Sequence, residues 1–270
     1  MSKRPFILIT NDDGIQAPGL RHLWQAIRSY ADVAIVAPQT EKSGSGLSIT
    51  YMKPLTVHEI PWEVPAWSVS GTPADCVKMA IGVLLDRRPD MVVSGINCGS
   101  NAGRTVLYSG TIGGVIEGVL KDIPGIAFSF ADFETPPLEA TQKYIIPLIA
   151  HFLEHPLSSG TLLNVNFPLN IKDGAKGFKL TKQGRSCWLE SPDKRAHPQG
   201  TPYYWLGGKW VLEQEHPESD VYWLEQGFVT GVPIHVGELT DRNALDLHKA
   251  NIEVKLNGLT DESPHFVHSQ

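Results

Sequence analysis

The sequence predicts an α/β fold, in which a mostly parallel sheet carries helices on both faces and is followed by a β-rich C-terminal arm. Three features predict it. Up to Phe167, short continuous apolar runs alternate with stretches of helical periodicity, the order expected of parallel strands joined by crossover helices. The 25 Gly and 20 Pro among 270 residues point to many turns and glycine-rich loops rather than to a helical bundle. Beyond Pro168, closely spaced aromatics replace helical periodicity, which returns only near Asn243.

Phe6-Ile-Leu-Ile-Thr10 is apolar without alternation, as a strand buried on both faces must be. Pro18 to Tyr30 follows as a helix, with proline in its first turn and Leu20, Leu23, Trp24 and Ile27 at helical spacing. Val33 to Ala37 is a second buried strand, closed by Pro38. A long loop and two β-leaning segments, Leu55–His58 and Trp67–Val69, precede the next helix. There Thr72 is the N-cap, Pro73 takes the first helical position, Asp75 lies in the first turn, and the helix runs to about Leu85. Met91–Ser94 is the third buried strand. Thr111–Lys121 is helical, Gly125–Ser129 a strand, Pro137–Glu154 a long amphipathic helix and Leu162–Phe167 a strand.

Residues 1–170 thus form the expected α/β core, and 171–270 the β-rich arm with a C-terminal helix, within one domain overall. Seven aromatics fall between Trp188 and Trp223: Trp188, Tyr203, Tyr204, Trp205, Trp210, Tyr222 and Trp223. An isolated extension does not keep that many in water, so residues near 185–235 are expected to embrace a partner subunit.

Composition excludes several function classes. Lys plus Arg total 23 and Asp plus Glu 29, for a net charge of −6. With no basic stripe, the chain is a poor candidate for gripping nucleic acid. Cys76, Cys98 and Cys187 form neither a disulfide framework nor a zinc ribbon and fit a reducing compartment. The apolar run Phe6–Ile9 is too short for a secretory signal, and no stretch approaches the roughly 18 apolar residues of a membrane helix. A soluble, cytoplasmic protein without a membrane partner is expected.

In an open parallel sheet, ligands bind outside the carboxyl ends of the strands. The first such loop is Asn11-Asp12-Asp13-Gly14. A turn at Gly14 can aim both carboxylates into the crevice, and a hard divalent cation is what relieves their repulsion; the same tetrapeptide is also excellent chemistry for a solvated turn. The second loop, Gln39 to Gly46, offers hydroxyls to a metal or a phosphate, or serves as a plain linker. The third, Gly95 to Gly103, reads as a loop whose Asn97 and Asn101 offer carbonyl oxygens to a metal and amide donors to an anion, or only satisfy turns. The fourth, Tyr108-Ser109-Gly110-Thr111, opens a helix where backbone N–H groups and hydroxyls suit an anion. Four such loops in a row are an unlikely coincidence.

Other motifs are set aside. No G-x-G-x-x-G follows the first strand, and neither a Walker-type loop nor a G-x-S-x-G elbow is present. His151-Phe-Leu-Glu154-His155 matches the inverted zinc-protease pattern H-x-x-E-H, but Pro156 follows at once, and histidines at a helix end suit the dipole. Cys98 has no evident base beside it and reads as a small buried thiol.

Ile9-Thr-Asn-Asp-Asp-Gly14 with Ala17-Pro-Gly19, Ser70-Gly-Thr-Pro-Ala-Asp75, Ser94-Gly-Ile-Asn-Cys-Gly-Ser-Asn101 and Tyr108-Ser-Gly-Thr111 together resemble the SurE (survival protein E) family of 5′-nucleotidases. The likeness continues through Asn164-Val-Asn-Phe-Pro168, Thr201-Pro-Tyr-Tyr-Trp205 and Gly227-Phe-Val-Thr-Gly-Val-Pro233. It implies a Rossmann-like core with an arm exchanged between the subunits of a homodimer, which in some members pairs into a homotetramer. The implied activity is divalent-metal-dependent hydrolysis of nucleoside monophosphates to nucleoside and phosphate, extending in some members to 3′-nucleotides and short polyphosphate. One cation per subunit, Mg²⁺ or Mn²⁺, is implied on Asp12, Asp13, Ser43 and Asn97. Phosphate contacts are implied at Asn101 and at Ser109, Gly110 and Thr111, with Asp13, Asp12 and Asn101 as the catalytic set. Two rivals are an aspartyl-phosphate phosphatase, whose aspartates are usually one residue apart rather than adjacent, and a non-catalytic nucleotide-binding stress protein.

Overall fold

The computed structural model describes residues 4–131, 137–169, 171, 174–211 and 214–257. Its main sheet has nine strands: β1 (Phe6–Thr10), β2 (Asp32–Pro38), β3 (Val57–Glu59), β4 (Ala66–Val69), β5 (Met91–Cys98), β6 (Gly125–Phe130), β7 (Thr161–Phe167), β8 (Phe178–Leu180) and β13 (Val229–His235). Their order is β3-β4-β2-β1-β5-β6-β7-β13-β8. From β4 to β7 neighbours are parallel, whereas β3 pairs antiparallel with β4, and β13 antiparallel with β7. β1 leads outward to β2 while β5 leads away on its other side. Their junction is therefore the point where strand order reverses and a crevice opens at the carboxyl ends.

Strand alternation sorts the core onto the two faces. Ile7 and Ile9 point to the side covered by α1 (Pro18–Ile27) and α4 (Gln142–Glu154), where they join Leu20, Leu23 and Ile145. Leu8 points the other way, onto Cys76 and Val77 of α2 (Pro73–Met79). α3 (Gly110–Val119) packs beside α2, with Ile112 and Val115 against Ala127 and Leu162. α2 starts as its sequence predicts: Thr72 accepts from the Asp75 amide, and the Asp75 carboxylate accepts from that of Thr72. It then widens into a π turn over Ala80–Leu84, so that helical structure ends at Leu85.

Several expectations need correction. α1 stops at Ile27 rather than Tyr30. β5 runs on to Cys98 through an irregular register between Ser94 and Asn97, so the first part of the expected Gly95–Gly103 loop is strand. α4 is preceded by a 3-10 turn at Leu138–Thr141.

The largest differences lie in the arm. The sheet does not end at residue 170: β13 and β8 extend it beyond β7. By contacts the chain divides instead into units 1–236 and 237–270. Helix returns earlier than expected, in α5 (Asp220–Glu225), where Ser219 caps the Tyr222 amide. Six residues are too few for periodicity to announce a helix. Two hairpin-like pairs complete the arm: β9 (Cys187–Leu189) with β12 (Lys209–Val211), and β10 (Asp193–Ala196) with β11 (Pro202–Trp205). The second unit holds α6 (Arg242–Asn257), with Arg242 paired to Glu238 at 2.6 Å. Among the described residues no helix is long and apolar enough to cross a membrane.

Candidate active site

The loops after β1, β2 and β5 and the N-terminus of α3 meet at the switch point. Asn11 closes the first loop on itself: its Nδ2 donates to the Gly14 carbonyl at 2.9 Å, and its Oδ1 accepts from the Gly14 amide at 3.2 Å. The amides of Ile15 and Lys42 donate to the carbonyls of Pro38 and Asp12 at 2.8 and 2.7 Å, sewing this turn to the loop after β2. The two aspartates are therefore rigidly presented, not waving on a solvated turn.

Asp12 is 3% exposed. Its Oδ1 accepts the Thr111 hydroxyl at 2.5 Å, and the Thr111 backbone adds a further hydrogen bond. Burial nonetheless raises its carboxyl above the ordinary range, because those bonds do not replace lost water. Asp13 is half-buried. Burial first, and the neighbouring Asp12 charge second, push its carboxyl up to about 7, against a hydrogen bond from the Cys98 backbone. Glu41 raises both carboxyls further through its charge. Such a cluster favours whatever brings positive charge to it.

Ser43 is exposed on the loop after β2, and its hydroxyl donates to Glu41 at 2.7 Å. Asn97 lies near the end of β5. Its Nδ2 donates to the Gly99 carbonyl at 2.7 Å, which leaves its Oδ1, the atom a cation takes, outside that bond. Gly110 packs directly on the first loop: a Cβ there would lie 2.6 Å from Ser45 Oγ and 2.8 Å from Asp12 Cβ. Only glycine lets the start of α3 come this close. Ser109 caps α3, its Oγ accepting from the Ile112 amide at 3.3 Å. The Thr111 hydroxyl is turned to Asp12 and orients it in this structure. Asn101 is buried, and its Nδ2 donates to Ser129 Oγ at 2.7 Å.

Asn164 and Asn166, already noted as a family-like pair, support Asn101. Asn166 Oδ1 accepts from the Asn101 amide at 2.9 Å and from Ser100 Oγ at 3.2 Å, while Asn164 Nδ2 donates to the Asn101 carbonyl at 2.9 Å. Their i, i+2 spacing on a strand puts both on one face, a signal present in the sequence. Glu41 carries no local mark in the sequence, whereas Ser45 belongs to the Gln39–Gly46 loop whose hydroxyls suit a metal or a phosphate.

The donor set fits a hard divalent cation. It offers two carboxylates, an amide oxygen and hydroxyl oxygens, the ligand types such ions prefer. Ser45 Oγ, buried with no hydrogen-bond partner beside Asp12 and Gly110, is a further polar atom the protein itself does not satisfy. The rings of His151 and His155 are 5.0 Å apart at the end of α4; among the described residues no group of three His, Cys, Asp or Glu side chains forms a metal cluster, there or at the crevice. Cys98 is half-buried rather than fully buried.

Comparison with known proteins agrees with this geometry. The family model of Survival protein SurE matches residues 7–190. The chain is 47% identical over 261 residues to the 5′-nucleotidase SurE of Protochlamydia amoebophila, covering 95% of this chain and all of that one. It is 42% identical to the 5′-nucleotidase SurE of Christiangramia forsetii, over 86% of this chain and 91% of the relative. The crystal structure of the SurE protein from Aquifex aeolicus superposes with a TM-score of 0.78 at 35% identity, over 92% of this chain and all of that one. A mostly parallel sheet shared with that structure, and a match through every strand-end loop of the crevice, place this chain in the SurE family.

Proposed function

We propose that this protein is a 5′-nucleotidase that hydrolyses nucleoside monophosphates with a divalent cation, Mg²⁺ or Mn²⁺, held by Asp12, Asp13, Ser43 and Asn97. The observation that carries the reading is the pair of adjacent carboxylates, one buried and one half-buried, clamped by Thr111 and Cys98 at the switch point. Two such charges disfavour an anionic ligand unless a cation stands between. A protein that merely bound nucleotides would have little use for them, which counts against the non-catalytic rival.

When bound, the cation supplies Lewis acidity toward the phosphoryl group and the attacking water. The chain's own groups do the rest. Asp12, fixed through Thr111, sets the position of the negative charge that faces the cation. Asp13, the less buried of the two, accepts the proton of the attacking water. Asn101 and the N-terminal amides of α3 at Ser109, Gly110 and Thr111 stabilise charge on the phosphoryl oxygens, worth several kcal/mol, or roughly 10²–10³ in rate per donor. The reading extends to 3′-nucleotides and short polyphosphate as further substrates.

We also propose that the arm makes the homo-oligomer, a dimer or a pair of dimers. Tyr204 and Trp205 are 59% and 61% exposed on β11, next in sequence to the exposed Leu206, and Trp188 is exposed on β9, more large apolar side chains than a monomer usually leaves in water. The test of the whole reading is phosphate release by purified protein across nucleotides, tripolyphosphate and divalent metals. Release from 5′-monophosphates with Mg²⁺ or Mn²⁺, abolished by chelator, is expected; its absence with every metal would sink the assignment.

A further inference from the structure

The loop that carries Asn97 and Asn101 is pinned at its near end to Asp13, through Cys98, and in its middle to Asn166. Its far end is pinned by residues of the arm. Gly103 lies where this loop turns into the 3-10 segment Gly103–Tyr108, which leads straight to Ser109-Gly110-Thr111. The Gly103 amide donates to Asp220 Oδ2 at 3.1 Å, across 117 residues. Gln183 Nε2 donates both to the Gly103 carbonyl at 2.5 Å and to Asp220 Oδ2 at 3.0 Å. The Arg104 amide donates to the Ser186 carbonyl at 2.9 Å. Asp220 Oδ1 meanwhile accepts from the amides of Gly184 and Val221 at 2.7 and 2.8 Å.

We infer that Asp220 is a positioning residue for the proposed nucleotidase site: it fixes Gly103, the pivot between Asn101 on one side and the Ser109–Thr111 turn on the other, and so sets where both phosphate-facing groups stand relative to Asp12 and Asp13. The inference rests on the functional reading above.

Two features separate this role from simple adhesion between arm and core. Asp220 is fully buried, and it accepts from three backbone amides and one side-chain amide, with no cation among them. A buried carboxylate held in this way is costly where an apolar side chain would fill the same space. Burial accordingly pushes its carboxyl up to about 6 despite those hydrogen bonds. Gly103 is matched to the same contact. It has φ +60, and a Cβ there would collide with the Ser186 carbonyl, so the residue suits only a loop held this close to the arm.

Asp220→Asn is a selective probe. An amide presents one oxygen and one NH₂, so only one of the two donor pairs on the carboxylate can be kept. The shorter bonds to Gly184 and Val221 are retained if the amide nitrogen turns toward Gly103, whose amide then loses its acceptor. Gly103→Ala breaks the same contact from the loop side. Both variants should keep the wild-type circular dichroism and bind Mn²⁺ within about threefold of wild type, since neither touches Asp12 or Asp13. Both should lose kcat about 10- to 100-fold with little change in KM, as a misplacement of about 1 Å at a reacting centre does. Hydrogen exchange of the peptide covering 97–108 should quicken while that of β1 and of residues 91–96 of β5 does not. Ile149→Ala, on the buried face of α4, supplies a control of lowered melting temperature.

A merely structural Asp220 predicts that Ile149→Ala, assayed as far below its melting point, loses the same kcat, or that exchange at 97–108 is unchanged in Asp220→Asn; either result overturns the inference. Wild-type protein that released no phosphate with any divalent metal would overturn the functional reading. The exchange measurement would still decide whether Asp220 holds the loop.

Discussion

Asp13→Asn removes one of two charges that the apo site holds at a cost, and the size of that cost follows from the structure. Raising the Asp13 carboxyl from the ordinary 3.8 to about 7 penalises its charged form by about 4 kcal/mol; its partial exposure lowers this to about 2–4 kcal/mol. Because the folded-state value is the higher one, the folded protein binds more protons than the unfolded chain between those values. The stability tied to this group is therefore fully present below pH 3.8 and is lost as pH rises through about 7. In chelator at pH 8 the wild type carries the full penalty and Asp13→Asn carries none. At roughly 2–4 °C per kcal/mol for a domain of this size, the variant should melt about 4–16 °C higher. At pH 5 Asp13 is protonated in the fold but already ionised in the unfolded chain, so only about a third of that penalty has accrued and the gap should shrink to about a third; the two proteins should melt together only below about pH 3.8. Saturating Mn²⁺ should raise the melting temperature of the wild type and leave the variant almost unmoved, while phosphate release by the variant falls at least 100-fold, the scale of a lost metal ligand. Scanning calorimetry at pH 5 and 8, with chelator and with metal, checks all of this. If the variant melts at or below wild type in chelator at pH 8, or if Mn²⁺ still stabilises it, the carboxylates do not form the cation site.

Thr111→Val keeps shape and removes the hydroxyl that orients Asp12; Mn²⁺ affinity by titration calorimetry should weaken about 10- to 100-fold, and an unchanged affinity would show that the hydroxyl serves something else. Gly110→Ala drives a methyl to 2.6 Å from Ser45 Oγ and 2.8 Å from Asp12 Cβ, so it should cost about 1–3 kcal/mol by overpacking and abolish phosphate release; full activity in a folded variant would mean that α3 need not approach the first loop. Multi-angle light scattering at micromolar protein should give a multiple of 29.7 kDa, and Trp205→Ser with Tyr204→Ser should shift the mass toward one chain. A monomeric wild type would remove the arm from the assembly.

Much of the core was legible because it is written locally. The five-residue apolar run Phe6–Thr10 can be little other than a doubly buried strand, and the Thr72-Pro73…Asp75 signal is confined to one turn. The aspartate pair was legible for the same reason: strand, carboxylates and glycine fall within nine residues. The errors have a common physical origin. β13, Val229-Thr-Gly-Val-Pro-Ile-His235, contains a glycine and a proline, which a central strand rarely tolerates. Its place beside β7 is decided by pairing across about 65 residues, Thr230 with Asn166 and Val232 with Asn164, and such pairing leaves no local trace. α5 escaped because a single capped turn does not make a period.

That distinction between local and distant contacts also explains which functional residues stayed hidden. Asp12 and Asp13 announce themselves, since adjacent carboxylates at a strand end are costly wherever they are desolvated. What holds their surroundings in place does not. Thr111 reaches Asp12 across 99 residues, Asn166 reaches Asn101 across 65, and Asp220 reaches Gly103 across 117. Each of those groups is individually ordinary in sequence: a threonine in a helix's first turn, an asparagine on a strand, an aspartate after a capping serine. They become unusual only once the fold buries them, because a buried polar group must find a partner and these find theirs in the strand-end loops. The ligating groups of such a site are therefore read from the chain, whereas the groups that aim them are read from the fold. It follows that substitutions at Asn166 or Asp220 should alter rate through the positions of Asn101 and the α3 N-terminus, without either residue touching the nucleotide. Loss of the Thr111 hydroxyl should act through Asp12, while the Thr111 amide still faces the phosphate.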